Sequence, residues 1–483
     1  MNKEPALDML PRYYLLKPQW QLRGWQDIPF ALADTHSGQV MALDSAAFFA
    51  ASICDGKTDC NSPFILDIHH SVCSNFLTSG VIEEITSPRS LQEHQKYRKA
   101  LNSYHKALHW SITGRCNLKC RHCYLCAPDN KYSDLDFSQI TQLVDQMSDA
   151  GIMEVSITGG EPFLRKDIWE ILALFVEKRI RVTQIYTNGL LVSDSVLKRL
   201  QDVLAPQYER SNVKVEFSLS FDGVGCHDDI RGIEGTELKT LEAIDRIRNH
   251  GFPVKIETIL YRKNINRMLD TLEVLKSKKV DYWKLSAVGN VGKWLETCDQ
   301  ENISPAEIFD CFLGLLKGFI GAERPMGILM GGFYTYNKST GTEGALYGNA
   351  EGICDDDFLS NFSCTMSRFV RYLLPDGTLL PCISMTGTEV HDKMPNVLDN
   401  GLSEALQDPY LQEIVSITVK ELLERNTACK TCEHIGRCNL GCRSSALTDN
   451  KDVFSVDPAT CYYWKNGYPE KIKEMLDNCT EFR

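Results

Sequence analysis

Two kinds of apolar pattern alternate along the middle of the chain. Strand-like runs, in which apolar residues are continuous or alternate, are ALHWSIT, IMEVSIT, RVTQIYT, VKVEFSLS, PVKIETILY and DYWKLSAV. Helical patterns separate them, the first carrying apolar residues at helical spacing, namely Phe137, Ile140, Leu143, Val144 and Met147. These six strand–helix units, over roughly residues 105–290, predict an α/β fold with a parallel sheet wound as a partial barrel.

Composition narrows the class of protein. The 483 residues suggest about three domains, and 43% hydrophobic with 24% charged residues is typical of globular protein. The chain starts without an apolar signal segment and has no apolar run of about 20 residues, so we expect a cytoplasmic protein and no membrane partner. The net charge of −12 argues against a nucleic-acid partner. Nineteen cysteines in such a chain favour reduced thiols that bind metal over disulfides.

Three cysteines follow the first predicted strand, in SITGRCNLKCRHCYL. Cys116, Cys120 and Cys123 have the spacing C-x3-C-x2-C and stand where a β/α barrel carries its functional loops. Three thiolates suit a 4Fe–4S cluster with one iron open to a substrate or cofactor. Zinc with three protein ligands and a water is the alternative.

This loop resembles the C-x3-C-x-aromatic-C motif of the radical SAM superfamily, with His122 in the aromatic position. The resemblance implies that Cys116, Cys120 and Cys123 hold the catalytic cluster and that S-adenosylmethionine chelates its open iron. Reductive cleavage of that cofactor then yields a 5′-deoxyadenosyl radical. A reducing partner such as flavodoxin or ferredoxin is implied as well.

Companion motifs follow the next strands and extend the resemblance. TGGEP resembles the family motif that holds the methionine amino group, and its adjacent glycines let backbone approach a ligand, with a plain Gly-Gly-Pro loop as the alternative. YTNG matches the family pattern after the third strand, with a simple turn as the alternative. SLSFDG ends the fourth strand, and Arg231 in HDDIRG is a candidate for the cofactor carboxylate or, alternatively, a surface ion pair. The implied cofactor-binding residues are His122, Gly159, Gly160, Glu161, Pro162, Asn188, Ser220, Asp222 and Arg231.

The C-terminal cysteines resemble, spacing for spacing, the seven-cysteine SPASM extension of radical SAM peptide and protein maturases. The resemblance implies two auxiliary 4Fe–4S clusters, which either staple the domain or transfer electrons. Cluster I would take Cys364, Cys382 and Cys442, with Cys354 as the candidate fourth ligand or else an open iron. Cluster II would take Cys429, Cys432, Cys438 and Cys461. Ile383 stands where sulfatase-maturing members carry an aspartate that acts as a catalytic base. An isoleucine accepts no proton, which disfavours formylglycine formation.

The first hundred residues carry a further unit. The pattern predicts two short strands around HSG, a helix, a second helix, a glycine turn and a strand. It resembles the small winged-helix, PqqD-like domain with which peptide-modifying members bind a leader peptide as an added strand. SPRSLQEHQKYRKALNSYHKA is expected to be a helical linker. An extension that only packs on the barrel is the alternative.

These observations predict four regions: a leader-recognition domain (1–100), a partial (β/α)6 TIM-type barrel (101–290), a bridging region (291–353) and a SPASM domain (354–483). We expect a maturase that modifies a ribosomally made precursor peptide, first by a cysteine-to-carbon thioether and otherwise by a carbon–carbon crosslink. Sulfatase-type maturation ranks third. A non-catalytic iron–sulfur peptide carrier and an RNA-modifying enzyme are the remaining alternatives. TGGEP and the three-cysteine motif would have no purpose in a carrier, and the acidic charge and the SPASM-like cysteines argue against RNA modification.

Overall fold

The computed structural model describes residues 11–129, 131–211, 213–297, 301–345, 355–438 and 440–480. Its strands are β1 Tyr13–Leu16, β2 Trp20–Gly24, β3 Ala31–Asp34, β4 Val40–Ala42, β5 Ile82–Ile85, β6 Arg98–Lys99, β7 Ala107–Ser111, β8 Glu154–Thr158, β9 Arg181–Thr187, β10 Glu216–Ser220, β11 Val254–Leu260, β12 Tyr282–Ala287, β13 Gly327–Met330, β14 Tyr334–Asn337, β15 Thr342–Ala345, β16 Val370–Leu373 and β17 Leu379–Leu380.

The α-helices are α1 Ser45–Ile53, α2 Asp67–Thr78, α3 Phe137–Asp149, α4 Ile168–Glu177, α5 Asp194–Ser211, α6 His227–Arg231, α7 Thr236–Asn249, α8 Met268–Ser277, α9 Lys293–Thr297, α10 Pro305–Gly321, α11 Asp356–Ser360, α12 Thr365–Phe369, α13 Val397–Asn400, α14 Leu402–Ala405, α15 Pro409–Val415, α16 Val419–Arg425, α17 Thr427–Lys430, α18 Arg443–Asn450, α19 Pro458–Lys465 and α20 Tyr468–Thr480. Short 3₁₀ turns are Glu93–Gln95, Ala127–Asp129, Pro162–Leu164, Ile265–Arg267, Ile383–Met385 and His391–Lys393. Among these helices none is long and apolar enough to cross a membrane.

A large sheet forms the centre of the molecule, in the order β15-β14-β13-β12-β11-β10-β9-β8-β7-β16-β17. Strands β7 to β12 are parallel and alternate with helices, which confirms the predicted α/β partial barrel. The sheet also continues past the predicted series, because α10 leads into β13, which pairs in parallel with β12. At the opposite edge β16 pairs in parallel with β7, so a C-terminal strand completes the barrel sheet.

Local sequence explains why these elements form where they do. At the start of α3 the Asp136 carboxylate accepts from the backbone N–H of Gln139, and the Gln139 side chain accepts from the N–H of Asp136. This capping box satisfies two donors that a helix start leaves unpaired. The apolar stripe of α3 then packs into the core, where Trp110 of β7 meets Phe175 of α4 edge to face.

The N-terminal residues form a separate small unit. Strand β1 pairs with β5, and a second sheet has the order β4-β3-β2-β6 with α1 and α2 beside it. The strands and helices predicted around HSG and the glycine turn are present. The predicted helical linker is wrong: its residues form a 3₁₀ turn and β6 instead. The Gln95 amide explains this, since it donates to backbone carbonyls of Leu16 and Lys17 and holds the segment across the N-terminal unit.

This unit is docked on the C-terminal end of α3. The Trp25 indole donates to the Ala150 carbonyl at 3.1 Å, and the Arg23 guanidinium donates to the Ser148 carbonyl at 2.8 Å. The last carbonyls of a helix lack partners within the helix and carry partial negative charge, so an indole and a guanidinium suit them. Burial lowers the pKa of Arg23 to about 10, which leaves it charged at neutral pH.

One buried amide closes a gap in the parallel sheet. Strand β10 begins at Glu216, opposite Gln184, so Val182 of β9 has no strand partner on that side. The Gln207 side chain, on α5, donates to the Val182 carbonyl and accepts from its N–H, both at 2.9 Å. Helix α5 runs past Pro206, where the sequence pattern ended it, and this extension brings Gln207 to the strand.

Replacing that amide should destabilise the barrel. Gln207→Leu keeps the volume but leaves two buried backbone groups without partners, at about 1–3 kcal/mol each. We expect the free energy of unfolding to fall by about 2–4 kcal/mol, measured by urea denaturation followed by circular dichroism. Asp202→Leu, on the exposed side of the same helix, is the matched control. Equal midpoints for the two variants would contradict the role of Gln207.

Candidate active site

The cysteine loop after β7 is fixed by backbone contacts on three sides. On one side the N–H groups of Gly160 and Glu161 donate to the carbonyls of Thr113 and Arg115, both at 2.8 Å. On another side Lys119 and Arg121 donate to carbonyls at the end of α6. On the third side the N–H of Lys293 donates to the Cys123 carbonyl. The loop therefore has a defined conformation set by three neighbouring loops.

Two glycines after β8 make the first of these contacts possible. A Cβ on Gly160 would lie 2.0 Å from the Arg115 carbonyl oxygen, and Gly159 has a φ of +148°. Neither position therefore accommodates a side chain. The sequence reading assigned these glycines to close approach by a ligand; in the structure their backbone approaches the cysteine loop itself.

The three cysteines of this loop lie close enough for their charges to interact. The Cys116 sulfur accepts from the Leu118 N–H at 3.4 Å, and the Cys123 sulfur accepts from the Ala127 N–H at 3.3 Å. Burial raises the pKa of the Cys116 thiol to about 12 and that of Cys123 to about 11, and the charges of the neighbouring cysteines act in the same direction. Three thiols this close repel one another when ionised unless a cation binds them.

A buried ion pair lies beside the sulfur of Cys120. Arg231 donates through Nε to the Asp222 carboxylate at 2.7 Å and approaches the Cys120 sulfur with Nη1 at 3.7 Å. Burial opposes ionisation of Asp222, but the Arg231 charge and the hydrogen bond with His227 together outweigh burial and hold the pKa of Asp222 well below its usual range. The predicted alternative for Arg231, a surface ion pair, is wrong because both side chains are buried.

His122, in the aromatic position of the motif, is neutral. Burial lowers the pKa of its ring to about 3, and the Arg231 charge adds to the effect. Its Nδ1 is buried without a hydrogen-bond partner among the described residues.

Glu161 is completely buried and connects two strand ends. Its carboxylate accepts from the Thr187 hydroxyl and the Asn188 N–H at 2.9 Å and from the Phe163 N–H at 3.2 Å. Burial raises its pKa to about 7, against these hydrogen bonds, which favour the ionised form. The Pro162 ring opens the 3₁₀ turn that follows. In this structure the carboxylate is thus engaged by protein donors.

Asn188 and Ser220 complete the predicted group. The Asn188 amide donates to the Asn117 side chain at 2.7 Å, one residue from Cys116, and thereby connects the third strand end to the cysteine loop. Ser220, partly exposed at the end of β10, lies opposite Glu257 in the sheet register. The motifs after the first four parallel strands therefore come together at one edge of the barrel, as parallel strands require.

These residues fit a thiolate-bound cluster. Cluster sulfurs carry negative charge, and this loop directs backbone N–H groups at two cysteine sulfurs and a guanidinium at the third. The residues that would hold such a cluster are Cys116, Cys120 and Cys123.

The C-terminal cysteines form two groups. Burial raises the pKa of Cys382 to about 12 and also raises that of Cys442, and the nearby charge of Cys364 acts on both in the same direction. The second group lines one cavity with Asp457 and Trp464 and consists of Cys429, Cys432, Cys438 and Cys461. These are the two sets that the resemblance implied. Cys354, the candidate fourth ligand of the first set, lies outside the described residues.

The sequence analysis did not identify several residues that lie close to these cysteines. Arg443 is buried between the two cysteine groups and donates to the carbonyls of Val453 and Ser455 at 2.9 Å. Asp457 accepts from the Cys442 N–H at 2.8 Å. Tyr124, beside Cys123, shares a 2.9 Å hydrogen bond with Tyr372 of β16. Only the adjacency of Arg443 to Cys442 and of Tyr124 to Cys123 could have drawn attention to them.

Comparison with known proteins agrees with this geometry. The family model described as "Radical SAM superfamily" matches residues 110–275, a range that begins within β7 and ends within α8. Mycofactocin maturase MftC of Mycolicibacterium smegmatis is 25% identical, over 76% of this chain and 85% of its own length. Fe-coproporphyrin III synthase of Methanosarcina barkeri is 29% identical, over 82% of this chain and 98% of its own length.

A solved structure shares the fold over more of the chain. The crystal structure of Streptococcus suis SuiB bound to precursor peptide SuiA superposes with a TM-score of 0.64 at 16% identity. It covers 93% of this chain and 99% of that one, too large a share to leave out the N-terminal unit. The matched barrel carries the three-cysteine loop at the end of its first strand. Residues 110–275 therefore form a radical SAM domain, and the chain is an enzyme that shares its overall fold with SuiB.

Proposed function

We propose that this enzyme is a maturase of a ribosomally synthesised precursor peptide and that it forms a cysteine-to-carbon thioether. The observation that carries the proposal is a small N-terminal unit with an accessible strand edge, docked on a radical SAM barrel. The barrel alone does not distinguish peptide from small-molecule substrates, since the relatives above include both a maturase and an Fe-coproporphyrin III synthase.

The N-terminal unit has features suited to a peptide. Strand β4 is the edge of its sheet, and two of its three side chains are exposed. An exposed edge offers unpaired backbone groups to which an extended leader can add as a strand.

Apolar side chains are exposed on the same unit. Phe64 is 85% and Leu66 59% exposed, and Phe49 and Ile68 are also exposed. The Phe49 ring contacts His69, whose Nδ1 accepts from the Leu66 N–H. These four side chains, Phe49, Phe64, Leu66 and Ile68, are named the N-terminal apolar patch here. Exposed apolar surface of this kind marks binding sites in soluble proteins.

In the proposed mechanism each group of residues has a separate task. Cys116, Cys120 and Cys123 would hold a cluster that, with S-adenosylmethionine, supplies a 5′-deoxyadenosyl radical for hydrogen abstraction. Arg231 and Asp222 keep a fixed positive charge beside Cys120, and Glu161 holds two strand ends so that the loop is pre-organised. Binding the leader far from the reacting atom positions the core peptide.

The C-terminal cysteines are proposed as ligands of two auxiliary clusters. Cluster I takes Cys364, Cys382 and Cys442 with Cys354, and cluster II takes the four cysteines that line the cavity. Once a hydrogen atom has been abstracted from the carbon, closing the thioether releases the thiol proton and one electron, and an auxiliary cluster would be a suitable acceptor of that electron. A carbon–carbon crosslink needs the same acceptor and is the second candidate. Ile383 provides no basic side chain beside Cys382, which disfavours sulfatase-type maturation.

The three-cysteine loop can be tested by iron content. Changing Cys116, Cys120 and Cys123 together to Ala should remove about one-third of the iron after anaerobic reconstitution, because three clusters share it. Formation of 5′-deoxyadenosine should be abolished. Cys226→Ala, a cysteine outside all three groups, is the matched control and should retain both. Continued cleavage of S-adenosylmethionine by the triple variant would contradict the assignment of the loop.

The N-terminal apolar patch can be tested without disturbing the barrel. Phe64→Ser combined with Leu66→Ser should reduce modification of the candidate precursor peptide at least about tenfold, since each removes an apolar contact of about 1–2 kcal/mol. Cleavage of S-adenosylmethionine without peptide should persist, because these residues belong to the N-terminal unit, whose core is separate from that of the barrel. Leu238→Ser, at an equally exposed position on α7, is the control. Full modification by the double variant would exclude the patch as leader site.

The type of crosslink in the product can be determined by counting its free cysteine thiols. A thioether and a carbon–carbon crosslink both remove two hydrogens from the peptide, so mass alone does not separate them. We expect the product to have lost one alkylatable cysteine thiol, as measured by iodoacetamide labelling and mass spectrometry. Retention of every thiol in a product lacking two hydrogens would favour the carbon–carbon crosslink instead.

A further inference from the structure

The inner face of the barrel sheet is polar and charged. Along β11 the side chains alternate, with Val254, Ile256 and Leu260 buried and Lys255 and Glu257 partly accessible. Side chains two apart on a strand share a face, so Lys255 and Glu257 both point to the inner side. In the register Glu257 lies between Ser220 of β10 and Lys284 of β12. The charged groups of two strands therefore meet inside the barrel.

Glu257 is the centre of this cluster. Its carboxylate accepts from the Lys255 ammonium on one oxygen and from the Lys284 ammonium on the other, each at 3.0 Å. The Ser218 hydroxyl donates to the first oxygen at 3.4 Å. Burial alone would raise its pKa, but the charges of Lys284 and then Lys255 outweigh burial and hold it below the usual value. The carboxylate is thus ionised, with two cations around it.

The single charge of Glu257 balances only one of the two ammonium groups that contact it. Each ammonium group carries further N–H donors beyond the one directed at Glu257. The Lys284 side chain is 34% exposed, so its donors are accessible from the interior, whereas Lys255 is 15% exposed and lies over the Tyr282 ring. Glu216, the other carboxylate on this face, stands at the start of β10, accepts from Gln184, and has its pKa raised by burial. An acceptor with negative charge would complete the cluster.

The cluster faces the same interior space as the cysteine loop. Burial lowers the pKa of His109 on β7 to about 4, and Lys284 is the charge that contributes most. The His109 ring stacks on Tyr186 of β9, with centroids 4.8 Å apart. Tyr186 in turn experiences the charges of Glu257 and of Tyr124, the neighbour of Cys123. A group bound at Lys284 would therefore lie on the face of the sheet that carries His109 and Tyr186.

We infer that Lys284, supported by Lys255 and Glu257, binds a carboxylate of the substrate inside the barrel. Resting on the proposed function, this carboxylate belongs to the core peptide. Its source is an aspartate or glutamate side chain or the peptide's C-terminus. Glu257 holds the two ammonium groups at fixed positions, so little side-chain entropy is lost when the carboxylate binds. Lys284 is then a specificity-determining residue that selects which segment of the peptide enters the barrel.

The test measures binding to the reconstituted holoenzyme with S-adenosylmethionine present, by anaerobic calorimetry. The probes are acetylated, amidated pentapeptides of glycine and alanine with aspartate, glutamate, asparagine or glutamine at the centre. An alanine-centred peptide with a free C-terminus separates the two carboxylate sources. Glutarate is the probe that lacks a peptide bond.

We expect at least one carboxylate peptide to bind about tenfold more tightly than its neutral counterpart, the effect of one charge-assisted hydrogen bond. Lys284→Met should reduce this ratio to about twofold or less, and Lys284→Arg should restore it, which excludes misfolding as the cause. Lys198→Met, a lysine of α5 outside the barrel interior, is the control.

The outcomes separate this inference from the proposed function. Equal binding of acidic and amide peptides would overturn the carboxylate site and leave the peptide substrate in place. Lys284-dependent binding of glutarate with no binding of any peptide would support the carboxylate site and contradict the peptide substrate. If no carboxylate binds in a Lys284-dependent manner, the inference is wrong.

Discussion

The contact between two loop backbones at the end of β7 and β8 is the constraint on which the candidate site depends. Gly160 and Glu161 donate to carbonyls of the cysteine loop at a separation that excludes a Cβ. A loop carrying three cysteines has many conformations in isolation, and ordering it costs about 1–2 kcal/mol per residue. The fold offsets this cost by surrounding the loop with backbone partners from three directions. The sulfur atoms are therefore brought together by main-chain packing rather than by their own side-chain contacts.

Buried charge is arranged around this loop in matched sets. Arg231 lies against Asp222, and Glu161 is surrounded by a hydroxyl and two N–H groups. A buried ion is costly unless a partner or several hydrogen bonds compensate it. Such compensation fixes geometry, because moving either partner leaves an uncompensated charge. The pair beside Cys120 thus combines a positive charge near the sulfurs with a rigid position.

Much of the fold could be predicted from periodicity, and the reasons for the failures are specific. The six parallel strands and their helices follow from local apolar patterns, and the cysteine groups follow from spacing. The partners of β13 and β16 lie far away in sequence, so no local pattern indicates them. The segment around Gln95 has a helical composition, but its amide bonds with a distant strand outweigh that preference. The role of Gln207 could not be predicted either, because it bonds the backbone of Val182 at a position where β10 has not yet begun.

For the candidate site, too, the sequence predicted some features and not others. Residue types and spacing indicated which side chains gather at the barrel edge, and the structure brings together the residues of the first four motifs. Their individual contacts were not predictable, because Glu161 and Arg231 bond to groups contributed by other strands. The charged interior formed by Lys255, Glu257 and Lys284 depends on strand register, which is set by pairing across the sheet.

The pairing of β16 with β7 has a consequence for how the molecule is divided. The C-terminal cysteine region is not attached to the barrel by a tether alone, since one of its strands supplies the neighbour of the strand that precedes the cysteine loop. Separating the two regions would bare the hydrogen-bonding groups of β7, and unprotected strand edges recruit other chains. The barrel sheet and the cysteine-rich region thus share a strand pairing, and neither can be cut away without exposing a strand edge of the other.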